Sequence, residues 1–207
     1  MKVIDFLQFL FKLNISKNQL IRDIEVLRKE IKPLRDKLVP FNDEEMELLS
    51  VKQSNFSKKK GFVRLSKGIF DSIYYENVIA YGIREYSNQE KLILITSSID
   101  EFVYIVKRDK TQVYMNNIEA GVLTLDGKFY NLKNKLIGRI DGGDALPTHP
   151  VIIQGNDIGY IGNPRINSTT TARAFTLLKP MHDDDRSIFL CLTLINLIEE
   201  AQMPKIN

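Results

Sequence analysis

Cysteine is almost absent from this 207-residue chain. The only one, Cys191, lies in the middle of an apolar segment, so no internal disulfide bond and no thiolate metal cluster can form. Its apolar surroundings predict an inert thiol rather than a nucleophile. Because proteins with so little cysteine are typical of reducing compartments, we expect a cytoplasmic protein, with peripheral attachment to a membrane as an open alternative.

Histidine is equally scarce, and the signatures of common catalytic sites are missing. His149 and His182 are the only two histidines, and no H-E-x-x-H spacing connects them to a metal site. The scattered glycines form no serine elbow, P-loop or dinucleotide fingerprint. These absences weigh against an enzyme and a cofactor. An unrecognised site around either histidine is the catalytic alternative.

Long apolar runs and a strong net charge are also lacking. No run reaches the ~20 apolar residues that a membrane span requires, and Asp5 and Gln8 interrupt the apolar start, which argues against a signal peptide. The formal net charge is +3, so composition gives no reason to expect a specific nucleic-acid partner. Hydrophobic residues at 43% and charged residues at 27% are typical of a globular protein.

Residues 1–50 are predicted to form a helical extension. Polar residues recur every three or four positions in Lys2–Asn14, which predicts an amphipathic helix. A second helix follows, and its apolar residues are spaced alternately by four and three, as in the seam of a coiled coil. We call these residues the seam: Leu20, Ile24, Leu27, Ile31, Leu34 and Leu38. Pro33 is expected to kink or restart this helix. The seam predicts an interface with a protein partner or with a second copy of the chain; attachment of the first helix to a membrane and packing of the helices on the β domain are the alternatives.

A polar stretch at residues 51–60 is interpreted as a linker, and residues 61–207 as an antiparallel β domain. About nine short segments, rich in β-branched and aromatic residues, follow one another at intervals of ~10 residues. Asp126-Gly127, between two such segments, is the strongest hairpin signal. The rhythm is that of a barrel or a sandwich and not of alternating strands and helices.

The last apolar segment, "DDDRSIFLCLTLINLIEEAQ" from Asp183 to Gln202, decides between these architectures. Between Ile188 and Ile198 only Thr193 and Asn196 are polar, so the helix is apolar on nearly every side. We place the central C-terminal helix at residues 186–202. A helix that lies on a sheet buries only one face, so we expect a closed barrel with this helix at its centre. The alternative is a helix packed between the sheet and the N-terminal helices.

The same stretch, together with the "LDGKFYNLKNKLIGRI" hairpin at Leu125–Ile140, resembles the tubby-like fold. Tubby proteins, phospholipid scramblases and LURP-one-related proteins share that fold. The resemblance implies a barrel around a central C-terminal helix, and a protein that binds phosphoinositide lipids through a basic surface or acts at membranes. The chain lacks the cysteine-rich and proline-rich segments of scramblases, so scrambling activity is not implied.

Two charged segments are candidate sites. Five basic residues without an acidic neighbour are candidates for binding anionic lipid headgroups, although a solvated linker is the favoured interpretation: Lys58, Lys59, Lys60, Arg64 and Lys67. Asp183 and Asp185 are candidate ligands for a hard cation such as Ca²⁺. Carboxylates at a helix start also complement the helix dipole, and this is the favoured interpretation of the two aspartates.

Three functions therefore remain open from the sequence. The leading one is a non-catalytic binding or scaffold module that oligomerises or engages a protein through the seam. The first alternative is a peripheral membrane protein that binds anionic lipid through the basic segment. The second alternative is an enzyme with an unrecognised site.

Overall fold

The structure is a computed structural model that describes residues 17–59, 64–87, 90–143, 145–167 and 169–204; the side chains of Lys17, residues 55–59 and Ser87 are also outside the description. The amphipathic helix predicted at Lys2–Asn14 lies outside the described residues. Within the described ranges the chain forms three helices: α1 (Lys17–Arg35), α2 (Asp43–Leu48) and α3 (Asp183–Gln202). The twelve strands are β1 (Leu49–Lys59), β2 (Arg64–Ser72), β3 (Asn77–Ser87), β4 (Glu90–Thr96), β5 (Glu101–Val106), β6 (Lys110–Met115), β7 (Ile118–Thr124), β8 (Lys128–Tyr130), β9 (Leu136–Ile140), β10 (Thr148–Ile153), β11 (Asn156–Gly162) and β12 (Phe175–Leu177).

The strands form one antiparallel sheet that closes almost completely into a barrel. Each strand pairs with the next along the chain, from β1 to β12. Where the barrel closes, the start of β1 meets the residues just before β12. Ser50 pairs with Arg173, and Ala174 N–H donates to Leu49 O at 2.6 Å. The predicted antiparallel barrel is therefore confirmed, with twelve strands in the described residues instead of about nine. A sandwich is excluded.

Helix α3 runs through the interior of this barrel. Its residues from Phe189 to Leu194 are all buried, as are Ile195, Leu197 and Ile198. Phe189 packs edge-on against Phe175 of β12, with 5.1 Å between ring centroids. Gly138 of β9 lets the helix approach, because a Cβ there would lie 3.2 Å from Ile188 Cγ2. The absence of a polar face on α3 follows from strands on every side of it.

The antiparallel order gives the barrel two ends. The proximal rim is the end at which α3 begins, and it carries the β2–β3, β4–β5, β6–β7, β8–β9 and β10–β11 turns. Gln154 in the β10–β11 turn donates to Asp185 of α3 at 3.2 Å. The distal rim is the end at which α3 finishes, where Lys91 pairs with Glu199. No helix in the described part of the chain is long and apolar enough to cross a bilayer.

Helix α1 packs on the outside of the barrel, and this corrects the coiled-coil interpretation. Leu20, Ile24, Leu27 and Ile31 of the seam are buried against residues of β2 and β4–β6. We call this set the outer cluster; its barrel side comprises Leu65, Leu92, Leu94, Val103, Ile105 and Tyr114. The seam is apolar because it covers a sheet of the same chain. The helix continues through Pro33 and ends two residues later, so no restart occurs there.

The predicted linker at residues 51–60 is also corrected, because Leu49–Lys59 forms β1. Its polar residues suggested a linker, but some of them face the interior of the barrel. Gln53 donates to Ala201 O at 3.2 Å and accepts a hydrogen bond from Tyr81. This strand thus satisfies carbonyl groups at the end of α3, a task that apolar residues cannot perform.

The predicted hairpin at Asp126-Gly127 is confirmed as the turn between β7 and β8. Gly127 has a positive φ of 75°, which glycine adopts without strain. Its N–H donates to Thr124 O at 3.1 Å, and Thr124 Oγ1 donates to Asp126 Oδ1 at 2.6 Å.

Candidate anion-binding site

A basic groove lies between the C-terminal half of α1, the first residue of β5 and the β6–β7 turn at the proximal rim. It has a volume of about 570 Å³. Four cations, two carboxylates and two amides surround it: Arg28, Lys29, Lys32, Arg35, Asp36, Glu101, Asn116 and Asn117. We call this the helix groove. Its volume lies within the ~300–1,000 Å³ typical of ligand sites.

Arg28 fixes α1 to the barrel and forms the floor of the groove. Its Nε donates to both carboxylate oxygens of Glu101 at 3.1 Å, and its Nη2 donates to Asn117 Oδ1 at 3.0 Å. Glu25, one turn earlier on α1, also pairs with it. The hydrogen bond to Glu101 raises the pKa of Arg28 above its ordinary value, more than burial lowers that pKa. The charge of Arg28 is therefore compensated inside the chain.

Asn116 and Asn117 form the tight β6–β7 turn beside Arg28. Both have positive φ, 51° and 64°, as a type I′ turn requires, and asparagine tolerates this conformation. Asn116 Oδ1 accepts from Glu101 N–H at 2.9 Å, and its Nδ2 donates to Asp100 Oδ1 at 2.9 Å. Asn117 uses its carbonyl oxygen for Arg28, and its Nδ2 has no partner among the described residues.

Lys29, Lys32 and Arg35 supply uncompensated positive charge. They are exposed and follow one another at intervals of three, so they lie along one side of the helix. Within the described part of the chain, none of the three forms an ion pair or a side-chain hydrogen bond. Lys32 and Arg35 lie in the last turn, where cations complement the helix dipole. Lys29 lies a turn earlier, so the dipole does not explain it.

The predicted lipid-binding residues are separated by the structure. Lys67 Nζ donates to Glu30 O at 2.8 Å and lies 3.1 Å from Glu30 Oε2, so its charge is compensated. Arg64, whose side chain is 62% exposed, lies 3.9 Å from Glu85 in a second pocket of about 600 Å³ at the distal rim. The side chains of Lys58 and Lys59 and the whole of Lys60 lie outside the described residues.

The predicted partner interface is mostly occupied within the chain. Leu20, Ile24, Leu27 and Ile31 belong to the outer cluster. Leu34 and Leu38 are half-buried and lie beyond that cluster. The structure therefore leaves only these last two seam residues for a partner.

The candidate metal and catalytic residues do not converge. Asp183 and Asp185 lie in the first turn of α3, and Asp185 accepts from Gln154. His182 precedes them at the proximal rim, whereas His149 is buried at the start of β10, at the distal rim. In the residues that the structure describes, no three potential ligands form a group that could hold a metal ion.

Sequence reasoning missed the helix groove, although the signals were present. Asn116-Asn117 between two apolar segments is the composition of a type I′ turn. The spacing of Lys29, Lys32 and Arg35 is visible in the helix that the seam predicts. Their convergence depends on which side of α1 faces the barrel, and only the packing of the outer cluster determines that.

Comparison with protein-family models, curated proteins and solved structures yields no significant match for this chain. The geometry of the barrel and of the helix groove is thus the basis for assigning a function.

Proposed function

We propose that this chain is a non-catalytic binding module that holds the anionic headgroup of a membrane lipid in the helix groove. The observation that carries the proposal is the charge of Lys29, Lys32 and Arg35, which form no ion pair with the described residues, beside Asn117 Nδ2, which has no partner among them. Ammonium, guanidinium and amide N–H groups are the donors that phosphate oxygens prefer.

The charge balance of the groove favours a phosphorylated, anionic ligand. Glu101 is neutralised by Arg28, so it does not repel an anion. Asp36 is the remaining carboxylate of the groove and is exposed at its edge. Three cations facing one carboxylate leave an excess positive charge, which a phosphorylated headgroup compensates.

The architecture supports the same ligand class. A closed barrel around a central C-terminal helix is what the resemblance to the tubby-like fold implies, and members of that family bind phosphoinositides through a basic surface. Membership of the family is part of this proposal, since it depends on architecture alone.

The test is flotation with lipid vesicles. Vesicles of phosphatidylcholine, of phosphatidylcholine with phosphatidylserine, and of phosphatidylcholine with phosphatidylinositol 4,5-bisphosphate are compared at matched surface charge. We expect salt-sensitive capture on anionic vesicles, strongest with the phosphoinositide. In the triple variant Lys29→Gln, Lys32→Gln and Arg35→Gln, capture should fall by roughly a hundredfold, because each cation near an anionic surface contributes about 1 kcal/mol.

A matched control removes the same amount of positive charge elsewhere on the surface. The triple variant Lys133→Gln, Lys135→Gln and Lys179→Gln neutralises three exposed lysines away from the groove, and it should bind as the parent does. Asp36→Asn should increase capture several-fold, since it removes the last repulsive charge. Equal losses in both triple variants, or no capture of the parent protein, would refute the proposal.

A separate variant tests the basic segment that the sequence suggests. If Lys58→Gln, Lys59→Gln and Lys60→Gln abolish capture and the groove variant does not, the β1–β2 hairpin is the lipid surface. A scaffold role through the seam remains a prediction for Leu34 and Leu38. Its test is the molecular mass of the protein in solution.

A further inference from the structure

Two asparagines line the helix groove, and they differ in what their amides can offer a ligand. Asn116 uses both ends of its amide, since Oδ1 accepts from Glu101 N–H at 2.9 Å and Nδ2 donates to Asp100 Oδ1 at 2.9 Å. Asn117 uses only its Oδ1, which accepts from Arg28 Nη2 at 3.0 Å. Among the described residues, Asn117 Nδ2 has no acceptor, so this amide can still donate to a ligand in the groove.

Arg28 determines which end of the Asn117 amide is left for the groove. A guanidinium group carries donors and no acceptor, so only the oxygen of the amide can face it. The reversed amide would place N–H donors against each other and would lose the hydrogen bond. Nδ2 is consequently turned away from Arg28, in a side chain that lines the groove.

Arg28 is itself held in one position and therefore supports this amide rigidly. Its Nε donates to both carboxylate oxygens of Glu101 at 3.1 Å, and its Nη1 pairs with Glu25. Its Nη2 donates to Glu101 as well as to Asn117. Because most of its N–H groups are used within the chain, Arg28 is a positioning residue of the groove and not a group that binds the ligand.

The backbone of the β6–β7 turn restricts Asn117 further. Asn117 is the second residue of a two-residue turn and has a φ of 64°. The strands on both sides of the turn are paired, with Met115 opposite Ile118. The side chain therefore leaves the barrel in a direction that the sheet sets, whereas the cations of the groove come from α1.

We propose that Asn117, oriented by Arg28, is the residue by which the helix groove distinguishes a phosphate monoester from other anionic groups. This inference rests on the proposed function and names the chemical group that the groove selects. The charges of Lys29, Lys32 and Arg35 attract any anion. The amide adds one directed donor from the barrel side.

A phosphate monoester fits this arrangement because of its shape and its charge. It has three terminal oxygens and a charge of about −1.5 to −2 at neutral pH, so it can accept from the cations of α1 and from the amide at once. The carboxylate and the phosphodiester of phosphatidylserine each have fewer free oxygens and a smaller charge. Such groups satisfy fewer donors that converge from two separate elements.

The experiment exchanges one amide and one carboxylate of the groove. The double variant Asn117→Asp with Asp36→Asn keeps the composition and the net charge of the groove. Aspartate at position 117 tolerates the same φ and still accepts from Arg28, but it replaces the amide donor by a carboxylate oxygen. Capture of the full-length protein is measured on phosphatidylcholine vesicles that contain phosphatidylserine or phosphatidylinositol 4,5-bisphosphate at matched surface charge.

The quantity of interest is the ratio of the partition coefficients on the two kinds of anionic vesicle. We expect the double variant to lower the preference for the phosphoinositide by about tenfold, the loss typical of one hydrogen bond to a charged group. Arg28→Lys should lower the ratio in the same direction, because an ammonium group pairs with Glu101 as a point charge and cannot also hold the amide. Circular dichroism checks that both variants are folded.

Asn134→Asp is the matched control. Asn134 also has a positive φ, 59°, but it lies in the β8–β9 turn and does not line the groove. This variant should keep the ratio of the parent protein. A fall in the ratio as large as that of the double variant would show that any new carboxylate suffices, and would overturn the inference.

The remaining outcomes separate this inference from the proposed function. An unchanged ratio in the double variant, or an equal loss on both kinds of vesicle, would overturn the role of Asn117. The headgroup site would stand if capture still depends on Lys29, Lys32 and Arg35. An unchanged ratio in Arg28→Lys alone would overturn the positioning by Arg28. No capture of the parent protein would remove the proposed function and this inference together.

Discussion

The packing of the seam on the barrel makes Leu27 a decisive residue. Its side chain is 0% exposed, and its Cδ2 lies 3.1 Å from the position that a Cβ on Gly82 would occupy. Leu27→Ala removes three carbon atoms, worth about 0.8 kcal/mol each in transfer from water. The rigid sheet beneath limits collapse of the cavity, so the total loss in the free energy of unfolding should be about 3 kcal/mol, within the range of about 2–5 kcal/mol for such substitutions.

The assay is urea unfolding followed by circular dichroism, with the molecular mass from light scattering. For a dependence on urea of about 2 kcal/mol per molar, the midpoint should fall by about 1.5 M. Val26→Ala is the matched control, because Val26 is the preceding residue of α1 and is 39% exposed. It should change the free energy of unfolding by less than about 0.5 kcal/mol.

The parent protein and both variants should be monomeric, since Leu20, Ile24, Leu27 and Ile31 of the seam are buried within one chain. A parent oligomer that Leu27→Ala converts to a monomer of unchanged stability would refute this reasoning. The seam would then contact a second chain, as a coiled coil does.

Three further predictions concern the interior and the packing of the barrel. Burial raises the pKa of Cys191 to about 12, so the thiol should resist Ellman's reagent at pH 8 until urea unfolds the protein; rapid reaction of the folded protein would contradict its position. Gly159→Ala should lower the free energy of unfolding by about 2–3 kcal/mol, because the new Cβ would lie 2.4 Å from a backbone oxygen. Gly143→Ala, with nothing within 4 Å, should be neutral or slightly stabilising. Equal effects of the two substitutions in urea unfolding would show that β11 and β12 are not so close. Asp23→Ala should cost about 3 kcal/mol, because it leaves the half-buried Arg84, 3.1 Å from Asp23, without its carboxylate, and a loss below about 1 kcal/mol in the same assay would contradict this ion pair.

The apolar residues of β4 indicate in the sequence that both faces of this strand are covered. Leu92 and Leu94 face the outer cluster, whereas Ile93 and Ile95 face α3. An uninterrupted apolar run in a strand indicates that both faces are covered. This apolar run and the apolar seam of α1 are together compatible with α1 packing on the barrel of the same chain. They are equally compatible with a coiled coil. The three-residue spacing of the cations on α1 does not reveal the groove, because the residues that complete it are more than sixty positions away in the chain.

The sequence by itself determined the elements whose surroundings are uniform or local. Helix α3 is apolar on nearly every side, which predicts that a closed sheet surrounds it, and the Asp126-Gly127 turn depends on four neighbouring residues. Tertiary structure alone decided what covers the seam, that residues 51–59 form a strand, and that Arg28, Glu101 and Asn117 meet. In each of these cases the partner is distant in the chain. An apolar face or a charge in the sequence indicates that the residue has an interaction partner. Which residue that partner is depends on the fold of the whole chain.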